Sequence, residues 1–257
     1  MSFLVSLFII VILAGNLEAQ SPAADDPRIP PEVLVQAGDY RAAREAFTTH
    51  LVKHGGFAFG PEDWEMTWPY RAAGFVVMVP MLRGENGNPG EFTMFYDEVN
   101  DVLAAAAFLA SRPDVDADRI FLAGHSVGGT MALLAAMTSN RFRAVASFSG
   151  SPDQVIYCRL GVPQKIIPFD TTDAREFEMR SPLAYATSLR SPTRLYYGTR
   201  ELHWDLSTRA LVELARAKGL DVNAEQVEGG HESAVPEAMS RSIQFFQQAG
   251  GPLILDP

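Results

Sequence analysis

The chain has 257 residues, of which 47% are hydrophobic and 20% charged, a composition typical of a globular protein that buries one large core. Its formal net charge of −10 disfavours polyanions, so we expect no binding of nucleic acid or of an anionic membrane surface. The lone Cys158 cannot form an internal disulfide, and no His, Cys and Asp cluster shows metal-ligand spacing, so the sequence predicts no metal and no cofactor.

The first 19 residues are typical of a secretory signal peptide. An apolar run from Phe3 to Ala14 is followed by a small-residue cleavage pattern that ends at Ala19, so the protein is expected to be secreted or periplasmic. The run holds about a dozen residues, too few to span a bilayer comfortably. Because no lysine or arginine precedes the run, an uncleaved anchor and a buried N-terminal helix stay open as alternatives. A membrane is a partner only if this segment is uncleaved.

The segment that follows is expected to connect the N-terminus to the main domain. Residues 20–31 are rich in proline and aspartate and read as a linker. Residues 32–53 carry apolar side chains at helical spacing, which predicts one amphipathic helix. An aromatic, glycine-rich stretch, His54–Gly60, comes next.

From residue 74 onward, predicted strands and helices alternate. The predicted strands are Gly74–Pro80, Ile120–Leu122, Arg143–Ser149, Thr193–Gly198 and Asp221–Glu228, and the predicted helices are Phe92–Ala110, Met131–Met137, Leu206–Lys218 and Pro236–Gln248. This alternation predicts an α/β fold with a mostly parallel sheet flanked by helices, which binds ligands at the carboxyl ends of its strands. Residues 151–190 show no clear period and predict an irregular insertion that forms a small lid over the active site.

The sequence contains the pattern G-x-S-x-G, formed by Gly124, His125, Ser126, Val127 and Gly128, between an apolar strand and a small-residue helix. A serine in a sharp strand-to-helix turn needs glycine on both sides, because side chains two residues away would collide across the turn. The pattern therefore predicts a nucleophile elbow, with the serine beside a helix N-terminus that favours developing negative charge. The alternative is a glycine-rich turn that leads into a buried helix.

A serine nucleophile requires a base, and the base requires a carboxylate that orients it. His231 lies in a glycine-rich loop after the last predicted strand, where it can serve as the base. The acid is expected in the loop after the Thr193–Gly198 strand, where Glu201 and Asp205 both qualify. Each of these residues has the alternative of an ordinary solvated loop side chain. His125 is interpreted as a packing or orienting residue rather than a second base.

These motifs resemble the α/β-hydrolase superfamily, and within it the branch of dienelactone hydrolases and prolyl oligopeptidase catalytic domains. The resemblance covers roughly residues 54–248, within a catalytic domain assigned to residues 54–257. The matching segments are His54-Gly55-Gly56, Arg83-Gly84, Asp114-Val115-Asp116 through Arg119, Gly124-His125-Ser126-Val127-Gly128-Gly129, Gly198-Thr199-Arg200-Glu201 and Gly230-His231.

The resemblance implies roles for particular residues. In that branch the acid usually lies three residues after the strand-ending glycine, which favours Glu201 over Asp205, although aspartate is the commoner residue there. It also implies an oxyanion hole formed by the backbone N–H of Val127 and by that of Gly56 or Phe57. Two such donors stabilise the oxyanion of a tetrahedral intermediate.

The chain departs from this family before His54. The family places an apolar central strand and two further strands there. In this chain, residues 48–53 lack an apolar run. Only about 22 residues lie between the linker and His54, too few for three strands of about 5 to 6 residues with their turns. We therefore expect the N-terminal strands to be missing, through loss of an internal segment near residues 53–56. Such a loss would leave an exposed apolar sheet edge beside the elbow.

The function predicted from the sequence is a serine hydrolase that cleaves a carboxylic ester, or another acyl bond, through a Ser126–Glu201–His231 triad and an acyl-enzyme. The chain is too short for the propeller domain that the resemblance associates with full prolyl oligopeptidases, which favours a small-molecule ester. One alternative is a prolyl-oligopeptidase-like serine peptidase acting on short peptides. Another is a truncated, non-catalytic hydrolase scaffold.

Overall fold

The structure is a computed structural model that describes residues 65–84, 88–113, 115–160 and 167–251, together with the backbone of residues 8–14. The predictions for the linker and helix of residues 20–53 lie outside the described residues, as do the predictions for His54–Gly60.

One six-stranded sheet forms the centre of the molecule, in the order β2-β1-β3-β4-β5-β6. Its strands are β1 (Phe8–Ala14), β2 (Phe75–Met78), β3 (Ile120–His125), β4 (Ala144–Phe148), β5 (Thr193–Gly198) and β6 (Val222–Val227). Strands β3 to β6 pair in parallel, and β1 alone runs antiparallel to both of its neighbours. The prediction of a mostly parallel sheet is therefore confirmed.

Helices cover both faces of the sheet. They are α1 (Trp68–Ala72), α2 (Glu98–Ala110), α3 (Val127–Thr138), α4 (Gln154–Leu160), α5 (Ala174–Arg180), α6 (Leu202–Arg216) and α7 (Val235–Gly250), with a 3-10 helix at Pro182–Ser188. One apolar cluster holds side chains of α2, α3 and α6, and a second holds side chains of α1 and α7. Strands β3 and β4 are buried along their whole length because they lie between these two clusters.

The strand β1 occupies a position that the sequence did not predict for it. It lies between β2 and the elbow strand β3, with Val11 opposite Met78 on one side and opposite Leu122 on the other. The open apolar edge expected beside the elbow is thus not found, because β3 pairs on both sides. The same apolar run is the core of the predicted signal peptide, and cleavage near Ala19 would remove the strand. Export and cleavage stay predictions.

Three predicted helices begin several residues away from their predicted starts, and the one predicted from Met131 is α3, which begins four residues earlier at Val127. The helix predicted from Phe92 begins only at Glu98, because Met94 and Phe95 adopt positive φ angles of 57° and 73°, which an α-helix excludes. The buried Glu98 carboxylate accepts the backbone N–H of Thr93 at 2.6 Å and fixes this turn. The helix predicted to begin at Leu206 is α6, which begins four residues earlier, at Leu202.

The insertion at residues 151–190 is not irregular, as the sequence suggested, but contains α4, α5 and the 3-10 helix. Each of these helices has seven residues, too few for a hydrophobic period to stand out. The Asp173 carboxylate accepts the Arg175 backbone N–H at 2.8 Å and caps α5. Within the part of the chain that the structure describes, no helix has both the length and the apolar character needed to cross a membrane.

Candidate active site

The G-x-S-x-G turn joins β3 directly to α3 and places Ser126 at the junction. Ser126 has a φ of 55°, a left-handed conformation that costs energy for a residue with a side chain. A Cβ atom added at Gly124 would overlap the backbone carbonyl of Gly128, so the tightness of the turn requires glycine at position 124. The Ser126 backbone N–H donates to the Phe148 carbonyl at 2.8 Å, which ties the turn to β4.

His231 approaches Ser126 from the loop between β6 and α7. Its Nε2 atom lies 2.9 Å from the Ser126 Oγ. The loop reaches this position through Gly229, whose φ of 136° is one that residues with a side chain rarely adopt. The Arg200 backbone N–H donates to the Gly229 carbonyl at 2.9 Å and holds the loop against the end of β5.

Glu201 completes a continuous hydrogen-bonded chain. Its Oε1 lies 2.6 Å from His231 Nδ1, while its Oε2 accepts the Ser149 hydroxyl and the Gly198 backbone N–H, each at 2.6 Å. Burial alone would raise the pKa of this carboxyl, which is only 3% exposed, but the hydrogen bonds from His231, Ser149 and Gly198 outweigh burial and lower its pKa. The carboxylate is therefore ionised at neutral pH.

The other candidate acid, Asp205, is engaged elsewhere. Its Oδ1 accepts the Tyr197 hydroxyl at 2.6 Å and the Arg209 guanidinium at 2.8 Å. Of the two carboxylates that the sequence left open, the structure brings Glu201 and not Asp205 to His231.

The proton positions follow from this chain of contacts. An ionised Glu201 only accepts, so His231 carries its proton on Nδ1 and leaves Nε2 as an acceptor. The Ser126 hydroxyl then donates to Nε2. In this state the imidazole can take the serine proton as the oxygen attacks an electrophile.

The structure describes one half of the predicted oxyanion hole. Val127 is the first residue of α3, so its N–H is one of the helix-terminal groups that have no partner within the helix. It also lies where the helix dipole favours negative charge. The second predicted donor, from Gly56 or Phe57, lies outside the described residues.

Three side chains near the elbow have the composition of a metal site. Ligand atoms of His125, His231 and Glu232 lie within 4.8 Å of one another, although the sequence spacing gave no sign of this. Both ring nitrogens of His231 already contact Ser126 and Glu201, so coordination by His231 would break the hydrogen-bonded chain.

Two further contributors were missed by the sequence reading. Ser149 lies at the carboxyl end of β4 and adopts a φ of 49°, which turns the chain next to Glu201. The Gly198 N–H comes from the end of β5. The available signal was positional, because carboxyl ends of adjacent parallel strands meet at one edge of the sheet.

The mostly parallel sheet, the strained serine turn and the histidine loop after the last strand together define the protein as an α/β-hydrolase. The sequence profile of the prolyl oligopeptidase family matches residues 62–199, just over half of the chain. The chain therefore belongs to the prolyl oligopeptidase family, within the α/β-hydrolase superfamily of serine hydrolases.

Individual proteins show more distant similarity to this chain. The chain is 24% identical over 158 residues to an uncharacterized peptidase of Bacillus subtilis, YtmA. It resembles the structure of a Mycobacterium tuberculosis puromycin-hydrolyzing peptidase with a TM-score of 0.64 and 21% identity over 74% of this chain. It also resembles an esterase from Pyrococcus furiosus with a TM-score of 0.52 and 17% identity over 73% of this chain.

The extent of these matches differs between relatives. The chain spans 59% of the length of the Bacillus subtilis peptidase and 32% of that of the Mycobacterium tuberculosis peptidase. It spans 74% of the Pyrococcus furiosus esterase. At these identities, the solved structures establish the fold alone.

Proposed function

We propose that this protein is a serine hydrolase that cleaves carboxylic esters through an acyl-enzyme, with Ser126 as nucleophile, His231 as general base and acid, and Glu201 as the orienting carboxylate. The observation that carries this proposal is the continuous chain of hydrogen bonds, 2.9 Å from Ser126 to His231 and 2.6 Å from His231 to Glu201. Such a chain activates a serine that is otherwise a weak nucleophile.

The reaction follows from the same geometry. Ser126 Oγ attacks the acyl carbon while His231 Nε2 takes the hydroxyl proton, and Glu201 stabilises the imidazolium that forms. The Val127 N–H, with a second donor expected from Gly56 or Phe57, stabilises the oxyanion. His231 then returns the proton to the departing alcohol oxygen. A water molecule attacks the acyl-enzyme in a second round that releases the acid and restores Ser126.

The choice of an ester rests on a balance of two similarities. The resemblance to an esterase extends over most of that esterase's length, which supports an acyl-ester substrate. Membership of the prolyl oligopeptidase family and the resemblance to a puromycin-hydrolyzing peptidase support the second candidate, a serine peptidase acting on short peptides or aminoacyl amides. Both reactions use the same residues, so the leaving group alone separates them.

A matched pair of substrates tests this proposal. N-acetyl-phenylalanine p-nitrophenyl ester and N-acetyl-phenylalanine p-nitroanilide share an acyl group and differ in the leaving group. We expect the ester to be turned over, Ser126→Ala to abolish its turnover, and the anilide to be cleaved no faster by the wild type than by Ser126→Ala. Cleavage of the anilide by the wild type that is lost in Ser126→Ala would favour the peptidase.

The third alternative from the sequence, a non-catalytic hydrolase scaffold, predicts a different result. Soluble, folded wild-type protein would then hydrolyse neither substrate faster than Ser126→Ala does. Circular dichroism of both proteins, run beside the assay, separates a folded inactive scaffold from an unfolded chain.

A further inference from the structure

The histidine inside the elbow, His125, is buried next to the nucleophile and contacts the loop of the base. Its side chain is only 1% exposed. Its Nε2 atom lies 2.9 Å from the backbone carbonyl oxygen of His231, and the two imidazole rings lie 4.7 Å apart. The reaction described above does not use this side chain.

The direction of this hydrogen bond follows from its partners. A backbone carbonyl only accepts, so the His125 Nε2 carries the proton and donates it. The other ring nitrogen, Nδ1, is then unprotonated in a neutral ring, and it is buried without a hydrogen-bond partner among the described residues. Burial, and then the neighbouring His231, lower the pKa of His125 to about 4, so the ring is neutral at physiological pH.

The loop that carries His231 needs such a contact. It is glycine-rich, and its other backbone hydrogen bonds hold the flanking residues: the Gly229 carbonyl accepts from Arg200, and the Gly230 carbonyl accepts from Ala234. The contact from His125 holds the carbonyl of His231 itself. His125 also ends β3, one residue before Ser126. The base is therefore fixed to the same buried strand that presents the nucleophile.

We propose that His125 is a positioning residue, whose Nε2–H fixes the backbone of His231 so that its imidazole keeps its distance to Ser126. This inference rests on the proposed function. It distinguishes His125 from a second base, because its Nε2 is occupied by the His231 carbonyl and its unprotonated Nδ1 is buried and has no hydrogen-bond partner among the described residues. Loss of the donor would leave the His231 carbonyl without this partner and allow the base to move relative to the serine.

Two substitutions separate the hydrogen bond from the packing of the ring. His125→Gln keeps an N–H donor at nearly the reach of Nε2 but removes the aromatic ring. His125→Phe keeps a planar ring of similar size but removes the donor. His125→Asn is a second variant that loses the hydrogen bond, because its shorter amide places the N–H near the position of Nδ1, where it does not reach the His231 carbonyl.

The measurement is steady-state hydrolysis of p-nitrophenyl acetate, with the melting temperature of each variant recorded in the same buffer. We expect His125→Phe and His125→Asn to lower kcat by about 10-fold to 100-fold, with KM within about twofold of the wild type. We expect His125→Gln to recover kcat to within about threefold of the wild type. A purely structural role would instead move the melting temperature and the amount of active enzyme, leaving the kcat per labelled site unchanged.

Active-site titration with a fluorophosphonate gives the concentration of working sites for each variant. Wild-type kcat per site in His125→Phe, or a His125→Gln variant no better than His125→Phe, would overturn the inference. A folded wild-type protein that does not label would overturn the proposed function and this inference together. Labelling of the wild type with an unimpaired His125→Phe overturns this inference alone.

Discussion

The two sides of the elbow strand β3 are built in different ways. On one side, β4, β5 and β6 follow β3 in chain order and pair in parallel. On the other side, β1 comes from the N-terminus, more than a hundred residues before β3 in the sequence, and runs antiparallel between β2 and β3. Both sides cover the same buried strand.

The two sides contribute differently to function. Ser126 follows β3, Ser149 follows β4, Glu201 follows β5 and His231 follows β6, so the parallel side presents every described member of the hydrogen-bonded chain. The β1 side presents none of these groups and instead pairs the free edge of β3. We therefore expect changes at the strand ends of the parallel side to affect mainly activity, and changes in β1 to affect mainly stability.

The largest expected effect is on the parallel side. Glu201→Gln leaves a neutral amide opposite His231 Nδ1 and favours the wrong tautomer, so we expect kcat to fall by about 10⁴ with little change in melting temperature. Asp205→Asn is the matched control, because Asp205 lies in the first turn of the helix that follows Glu201 but contacts Tyr197 and Arg209. The kcat of ester hydrolysis is measured for both variants. An equal loss of kcat in Asp205→Asn would contradict the role of Glu201.

The next effect tests the β1 side. Val11 pairs with β2 and with β3, so Val11→Pro removes a backbone donor in the middle of the sheet and is expected to cost about 3 kcal/mol or more of unfolding free energy. Val11→Ile keeps the donor and is the control. Urea denaturation measures both, after intact-mass analysis has confirmed that the purified chains retain residues 8–14.

The same mass analysis decides between β1 and the signal peptide. A mature, stable protein that begins after Ala19 would show that β1 is not needed to pair the edge of β3. An N-terminus that retains residues 8–14 is the result that the observed sheet predicts.

A third prediction concerns acid stability near the elbow. His125 binds a proton below about pH 6.5 in the unfolded chain but only below about pH 4 in the folded one. Between these values the unfolded state binds more protons, so stability falls as the pH falls, by up to about 3 kcal/mol. His125→Gln is expected to lack this loss, and urea titrations at pH 7 and pH 4.5 compare it with the wild type. The neighbouring His231 and Glu201 are common to both proteins, so parallel curves would contradict the prediction.

The smallest expected effect comes from Ser149, where two substitutions separate the loss of its hydroxyl from the relief of its backbone strain. Ser149→Ala removes the hydroxyl that donates to Glu201, and we expect kcat to fall by about 10-fold. Ser149→Gly removes the same hydroxyl but relieves the φ of 49°, so it should lose the same activity and be the more stable of the two. Equal melting temperatures, or full activity in Ser149→Ala, would count against this account.

The parallel side could be predicted from the sequence because its signals are local. An apolar strand, a glycine-bounded serine and a small-residue helix lie within a few residues of one another, and the strand ends then indicate where Glu201 and His231 meet Ser126. The choice of Glu201 over Asp205 needed the family resemblance, and in the structure Glu201 contacts His231 whereas Asp205 contacts Tyr197.

The other features depend on contacts between distant residues. The pairing of β1 with β3 joins segments far apart in the chain, and its apolar run is equally typical of a signal peptide. The role of Ser149 depends on an unusual backbone angle at the end of β4, and the His125 contact depends on a loop 106 residues away. The late start of α2 depends on two positive φ angles at Met94 and Phe95, which residue type does not reveal.

The central claim is that Ser126 is an activated nucleophile. Its most direct test is incubation of the folded wild-type protein with a fluorophosphonate, followed by intact-mass analysis and peptide mapping. We predict one adduct per chain, located on Ser126, that forms in neither Ser126→Ala nor the urea-denatured wild type. A folded protein that acquires no adduct, or an adduct that persists in Ser126→Ala, would contradict the claim.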